Sequence, residues 1–191
     1  SPKGAIGLVN YLKRSYGEPT EYALEEQPFY NWYSATFASA AGPVHIEAID
    51  ILSDTVQRQD PVLAERFGAT SSIADIVAYN GHAGLGANIR AFAGLTKMVP
   101  ERYYLYWLNA CRPFAYMDGA LADRARTTNP GVPASRYLDV MASTNLGEFA
   151  LGGDIYEIIR AMVGQQMTFR EITAILSDGS SGAPLVMGEG D

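Results

Sequence analysis

Cysteine is nearly absent from this chain, with Cys111 standing alone among 191 residues. A single thiol excludes an internal disulfide and any cysteine-rich zinc site, and it leaves the redox compartment open. Histidine is almost as scarce: the chain has only His45 and His82, which is poor material for a metal centre. Positive charge is in deficit, because 14 Lys and Arg face 21 Asp and Glu for a formal charge of −7. Nucleic acids and anionic membranes need a cationic face. Neither is expected as a partner, and basic partners are mildly favoured. No apolar run approaches the ~20 residues that span a bilayer. The N-terminus also lacks the basic-then-apolar layout of a signal peptide. The expectation is a soluble protein, cytoplasmic or exported after removal of a signal. Internal repeats of solenoid period and low-complexity tracts are missing as well.

What remains is an ordinary globular composition, 48% apolar and 18% charged, long enough for one α/β domain over residues 1–191 with a sizeable core. The informative stretch runs from Ile73 to Gly119. It contains two apolar runs that each stop at a reactive side chain. The first, Ile73-Ala74-Asp75-Ile76-Val77-Ala78-Tyr79, leads into Asn80-Gly81-His82-Ala83-Gly84. The second, Tyr103-Tyr104-Leu105-Tyr106-Trp107-Leu108, leads into Asn109-Ala110-Cys111-Arg112-Pro113. Short length, β-branched and aromatic content and flanking turn residues predict buried strands. As neighbouring parallel strands they bring His82 and Cys111 to one carboxyl edge, where open α/β sheets place their ligands.

Around this stretch the pattern alternates. Gly4 to Leu12 reads as a strand or an amphipathic helix, and two glycines favour the strand. Residues 16–27 read as a surface loop. Pro28 to Ala40 carries Phe29, Trp32, Tyr33 and Phe37 at helical spacing, with Pro28 at a plausible first turn. Val44 to Leu52 alternates as a strand covered on one face, with His45 in the polar phase and more plausible as structural than catalytic. Residues 53–67 offer Asp54 as a helix cap and Asp60-Pro61 as a second helix start, closed by Gly68. Asn88 to Leu95 predicts a helix between the two key strands. Helix is predicted over 114–125, a breaker-rich exposed loop over 127–133, and renewed order at 137–141. Further helices are expected within 149–163 and 168–176, the last opened by a Thr168/Glu171 capping box. Pro184 to Met187 reads as strand. The sum is a three-layer α/β/α sandwich on a mostly parallel sheet.

The segments Ala78-Tyr79-Asn80-Gly81-His82-Ala83-Gly84 and Leu105-Tyr106-Trp107-Leu108-Asn109-Ala110-Cys111-Arg112 resemble those of clan CD cysteine peptidases. This caspase-haemoglobinase group includes caspases, metacaspases, legumain, clostripain and gingipains. The resemblance is close from Asp75 to Leu121 and extends to bacterial caspase-like proteins. It differs at Ala83, where members usually carry Gly, and in a short interval of 29 positions (111 minus 82) between His and Cys. The resemblance implies a caspase-like fold and a cysteine endopeptidase without cofactor or metal, acting on a protein or peptide substrate. It implies Cys111 as nucleophile and His82 as general acid and base. A nearby imidazole makes a thiol reactive and later protonates the leaving amine. Backbone N–H groups of Ala83, Gly84 and Cys111 would hold the oxyanion, at about 3 kcal/mol of barrier per donor. Asp118, Arg112 and Asn80 are the candidate substrate-binding residues. Asp118 suits a basic residue before the scissile bond, and Arg112 suits an acidic one. Two other classes fit the same residues: a catalytically inactive caspase-like interaction domain, and a doubly wound domain binding a small ligand. A phosphate-cradling loop at residues 81–86 is disfavoured, because the spacing matches neither the dinucleotide fingerprint nor the P-loop.

Overall fold

The computed structural model describes residues 4–52, 60–117, 119–143, 153–165, 167–178 and 184–187. It is an α/β protein with helices and two small sheets. Contacts divide the chain into two compact units, one of residues 1–56 with 150–176, the other of 57–149 with 177–191.

The first unit opens with α1 (Ala5–Tyr16), where the sequence favours a strand. Ala5, Leu8, Val9 and Leu12 recur at helical spacing and are buried. Burial of such side chains stabilises by about 1.5–3 kcal/mol each, which outweighs the ~1 kcal/mol penalty of Gly7 inside a helix. Lys13 and Arg14 lie in the last turn, favourable for the helix dipole. Gly17 follows at φ 83, its N–H bonded to Lys13 O at 2.9 Å.

β1 (Glu21–Glu26), β2 (Tyr30–Ser39) and β3 (Gly42–Ile51) form an antiparallel meander in the order β1-β2-β3. Three expectations are corrected here. The expected loop at 16–27 contains β1, the segment 28–40 holds strand β2 rather than a helix, and the strand expected at 44–52 pairs antiparallel with β2 instead of joining a parallel sheet. β2 is central and buried on both faces, so Trp32 on one face and Tyr33 and Phe37 on the other imitate helical spacing. The face of Phe37 packs under α1, where Tyr16 meets the Phe37 ring at 6.5 Å and Asp50 accepts the Ala5 N–H at 2.8 Å. α5 (Gly153–Arg160), extended by a π-helical turn to residue 165, packs on α1, with Tyr11 and Tyr156 stacked at 5.4 Å. α6 (Phe169–Asp178) opens with the expected capping box: Thr168 Oγ1 and N–H both donate to Glu171, at 2.7 and 2.8 Å.

In the second unit α2 (Pro61–Ile73) starts at the second expected point, Asp60 accepting from the Val62 and Leu63 N–H groups, while Asp54 lies outside the described residues. It runs through Gly68 rather than ending there, because Gly68 lies buried against the Lys97 stem with no positive φ. β4 (Ile76–Asn80), α3 (Ala87–Leu95), β5 (Tyr104–Asn109), α4 (Ala120–Thr128), β6 (Leu138–Ser143) and β7 (Pro184–Met187) complete it. The sheet order is β4-β5-β6-β7, the first three parallel and β7 antiparallel. All six β5 residues are buried, as the uninterrupted apolar run requires. One face carries Val77, Tyr104, Tyr106, Leu108 and Val140, packed with Ile89, Phe92, Leu121 and Ala125 from the helices. α4 extends to Thr128, and Asn129 is buried rather than exposed, its side chain bonded to Ala125 O and the Glu101 N–H.

Candidate functional site

The carboxyl ends of β4, β5 and β6 lie side by side because the strands are parallel neighbours. Asn80 and Asn109 are register partners at the last rung of the β4–β5 ladder. His82 and Cys111 each come two residues later, so both leave the sheet at the same rim. The rung is tied twice more: Asn109 Nδ2 donates to Asn80 Oδ1 at 3.1 Å, and the Gly81 N–H donates to Asn109 O at 3.0 Å. Asn80, a candidate substrate contact, is thus engaged in holding the two turns together.

The turn bearing His82 is closely held. Tyr79 Oη donates to the His82 carbonyl at 2.7 Å and Asn88 Nδ2 donates to it at 3.0 Å. Ala83 is buried, and its carbonyl accepts from the Gly86 and Asn88 N–H groups. Gly84, Leu85 and Gly86 then adopt three consecutive positive φ values, 56, 52 and 88°. Glycine makes two of these inexpensive. Leu85 carries the steric cost of the left-handed region and is 83% exposed. The His82 side chain is exposed.

On the neighbouring turn, Cys111 is half-buried against the core that includes Leu108, Ala110 and Leu121. Ser143, at the end of β6, donates its hydroxyl to Ala110 O at 3.2 Å and fixes the backbone just before the thiol. Arg112 is left-handed at φ 53 and exposed. Pro113 then opens a 3-10 turn to Tyr116. The two turns meet where Tyr116 packs over Gly86. Behind them, between α3, the 3-10 turn and the start of α4, is a shallow, open cleft lined by Ile89, Phe92, Leu108, Tyr116, Met117 and Leu121, with Arg90 also in its wall. Tyr106, on the same strand as Leu108, has its hydroxyl pushed up to about 12, above all by burial.

The structure therefore brings Asn80, His82, Ala83, Gly84, Cys111 and Arg112 to one sheet edge. Asp118 lies outside the described residues. His45 is in the other unit, exposed on β3 and bonded to Thr36 and Glu47. Sequence reasoning missed the supporting roles of Tyr79, Asn88 and Ser143. Ser143 carried one readable signal, a hydroxyl at the end of an apolar strand-like run. The chain matches no protein-family model, no curated protein and no solved structure.

Proposed function

We propose that this chain is a caspase-like cysteine endopeptidase, and that the unit built on β4 to β7 is a small form of the caspase-haemoglobinase sheet. The observation that carries the reading is the parallel register pair Asn80 and Asn109, which sets His82 and Cys111 at equivalent positions past one rim. The Cys111 thiolate attacks the peptide carbonyl and forms the S–C bond. N–H groups of Ala83, Gly84 and Cys111 stabilise the resulting oxyanion. Imidazolium at His82 gives its proton to the departing amine as the C–N bond breaks, then takes one from the water that hydrolyses the thioester. Apolar walls of the neighbouring cleft suit an apolar side chain flanking the scissile bond, with Arg112 as the cation for an acidic one.

The test is alkylation of the native full chain with iodoacetamide at neutral pH, combined with turnover of a peptide library. Cys111 is expected to alkylate fast, and His82→Ala to slow that reaction. Both His82→Ala and Cys111→Ala should lower turnover by about 10²-fold or more. Labelling that reaches completion only in denaturant, or turnover that survives Cys111→Ala, overturns the proposal.

A further inference from the structure

We infer that Leu85 selects the residue on the leaving side of the scissile bond, and that the substrate carries an apolar side chain there. The inference rests on the peptidase reading above. Leu85 is the middle of the Gly84-Leu85-Gly86 turn that follows His82, at φ 52 and ψ 34. It is disfavoured twice where it stands. The left-handed region crowds its Cβ against the backbone, a cost that the glycine on either side escapes. Its side chain is 83% exposed, more than any other large apolar one among the described residues, so burial does not offset that cost. Residues held in such conformations gather at ligand clamps, where a bound group makes use of them.

The turn also holds the Leu85 backbone still. Ala83 O accepts from the Gly86 N–H at 2.9 Å and from the Asn88 N–H at 3.2 Å, Arg90 reaches the Leu85 carbonyl at 3.5 Å, and Tyr116 of the neighbouring turn lies against Gly86. A backbone fixed in advance presents its side chain at little further entropic cost. The chemistry assigns the side of the substrate. Cys111 keeps the acyl half as a thioester, whereas the amine that takes the His82 proton as the C–N bond breaks belongs to the other half. That half must therefore lie against the His82 turn. Leu85 comes three residues after His82, so the two Cα atoms are at most about 11 Å apart, and the closed turn shortens the span. Leucine there gains contact with an apolar side chain, gains little from glycine, and strips water from a charged group without replacing it. Arg112, exposed on the Cys111 turn, serves the acyl half instead.

Digestion of a random-sequence peptide library by the full chain, with sequencing of the new amino termini, reads this side alone, because each new terminus is the residue that followed a cut. Leucine, isoleucine, valine and phenylalanine are expected there about ten-fold more often than glycine, relative to their share of the library. Leu85→Asn, polar but suited to the left-handed region, should bring that ratio down about ten-fold, and Leu85→Met should keep it. Urea midpoints of Leu85→Asn and Leu85→Gly should not fall below that of the parent, because strain is relieved and little burial is lost. A lower midpoint in both variants would mean that the leucine supports its own fold, and overturns the inference. A ratio near one in the parent overturns it too, as does a ratio unchanged in Leu85→Asn. If cutting still vanishes in Cys111→Ala, either of those results leaves the peptidase reading standing. Absence of cutting by the parent chain removes that reading and this inference together.

Discussion

Replacing Gly86 by alanine perturbs the point where the turn after His82 touches the turn after Cys111. A Cβ on Gly86 would lie 2.9 Å from the Tyr116 ring and 3.1 Å from each terminal Arg90 guanidinium nitrogen, at φ +88. Two costs add. Holding a non-glycine residue in the left-handed region costs about 1–2 kcal/mol. Displacing the ring costs about 1–3 kcal/mol, as overpacking does, while the flexible arginine moves aside cheaply. The sum, about 2–5 kcal/mol, is a large share of the ~5–15 kcal/mol that holds a typical domain folded. Gly94→Ala is the matched control, because Gly94 is an exposed helical position with nothing within 4 Å of the added methyl. It should gain up to about 0.5–1 kcal/mol. Urea denaturation with linear extrapolation reads both, and the midpoint should move while the slope stays constant. The Gly86 variant should also change the alkylation rate of Cys111, since Tyr116 belongs to the turn that comes after the thiol. If Gly86→Ala melts within about 0.5 kcal/mol of the parent, or costs no more than Gly94→Ala, the two turns are not braced against each other and the reasoning fails.

Asp60→Ala removes the acceptor for two N–H groups at the start of α2 and is expected to cost about 1 kcal/mol in urea melts, with Asp60→Asn close to neutral. Leu108→Ala empties a position that is 1% exposed beside the cleft and should cost about 2–5 kcal/mol; a smaller loss would mean that the cleft collapses onto the gap. Tyr103 is held above the ordinary phenol range by burial first and then by its bond to Asp139, and Tyr106 is raised to about 12 by burial. Both hold their protons more tightly folded than unfolded. The stability they contribute is therefore complete below about pH 10 and is lost as pH climbs through their folded values. Alkaline denaturation should begin in that window and be shallower in Tyr103→Phe. A parent stability flat from about pH 9 to 12 would contradict the burial of these hydroxyls.

Of the two strands that carry the candidate site, β5 was legible because it is buried on both faces and therefore spelled as an unbroken apolar run, with asparagine and a small residue marking its exit; β4 is a strand as expected but lies at the sheet edge and is only partly buried. The same rule worked against β2. A strand covered on both sides has no polar phase, and its aromatic residues fell by chance at helical intervals. β1 failed for the opposite reason: exposed on both faces, it shows no alternation, and its glutamates read as loop. At α1 two glycines outweighed the spacing of Ala5, Leu8, Val9 and Leu12, although tertiary burial decides such short helices. Within the site, Cys111 and His82 were readable because each sits in the short turn just past an apolar run. The brace of Tyr79 and Asn88 on the His82 carbonyl was not, because it depends on three successive left-handed residues that no local propensity announces.

The division of the chain into 1–56 with 150–176 and 57–149 with 177–191 bears on its synthesis. Neither half is contiguous, so a ribosome must deliver the closing residues of each before either has all its parts. β7 covers the open side of β6 and is the last strand of its sheet to be translated. Until then the nascent polypeptide carries an incomplete sheet, and a stop codon near position 150 would deprive both halves at once.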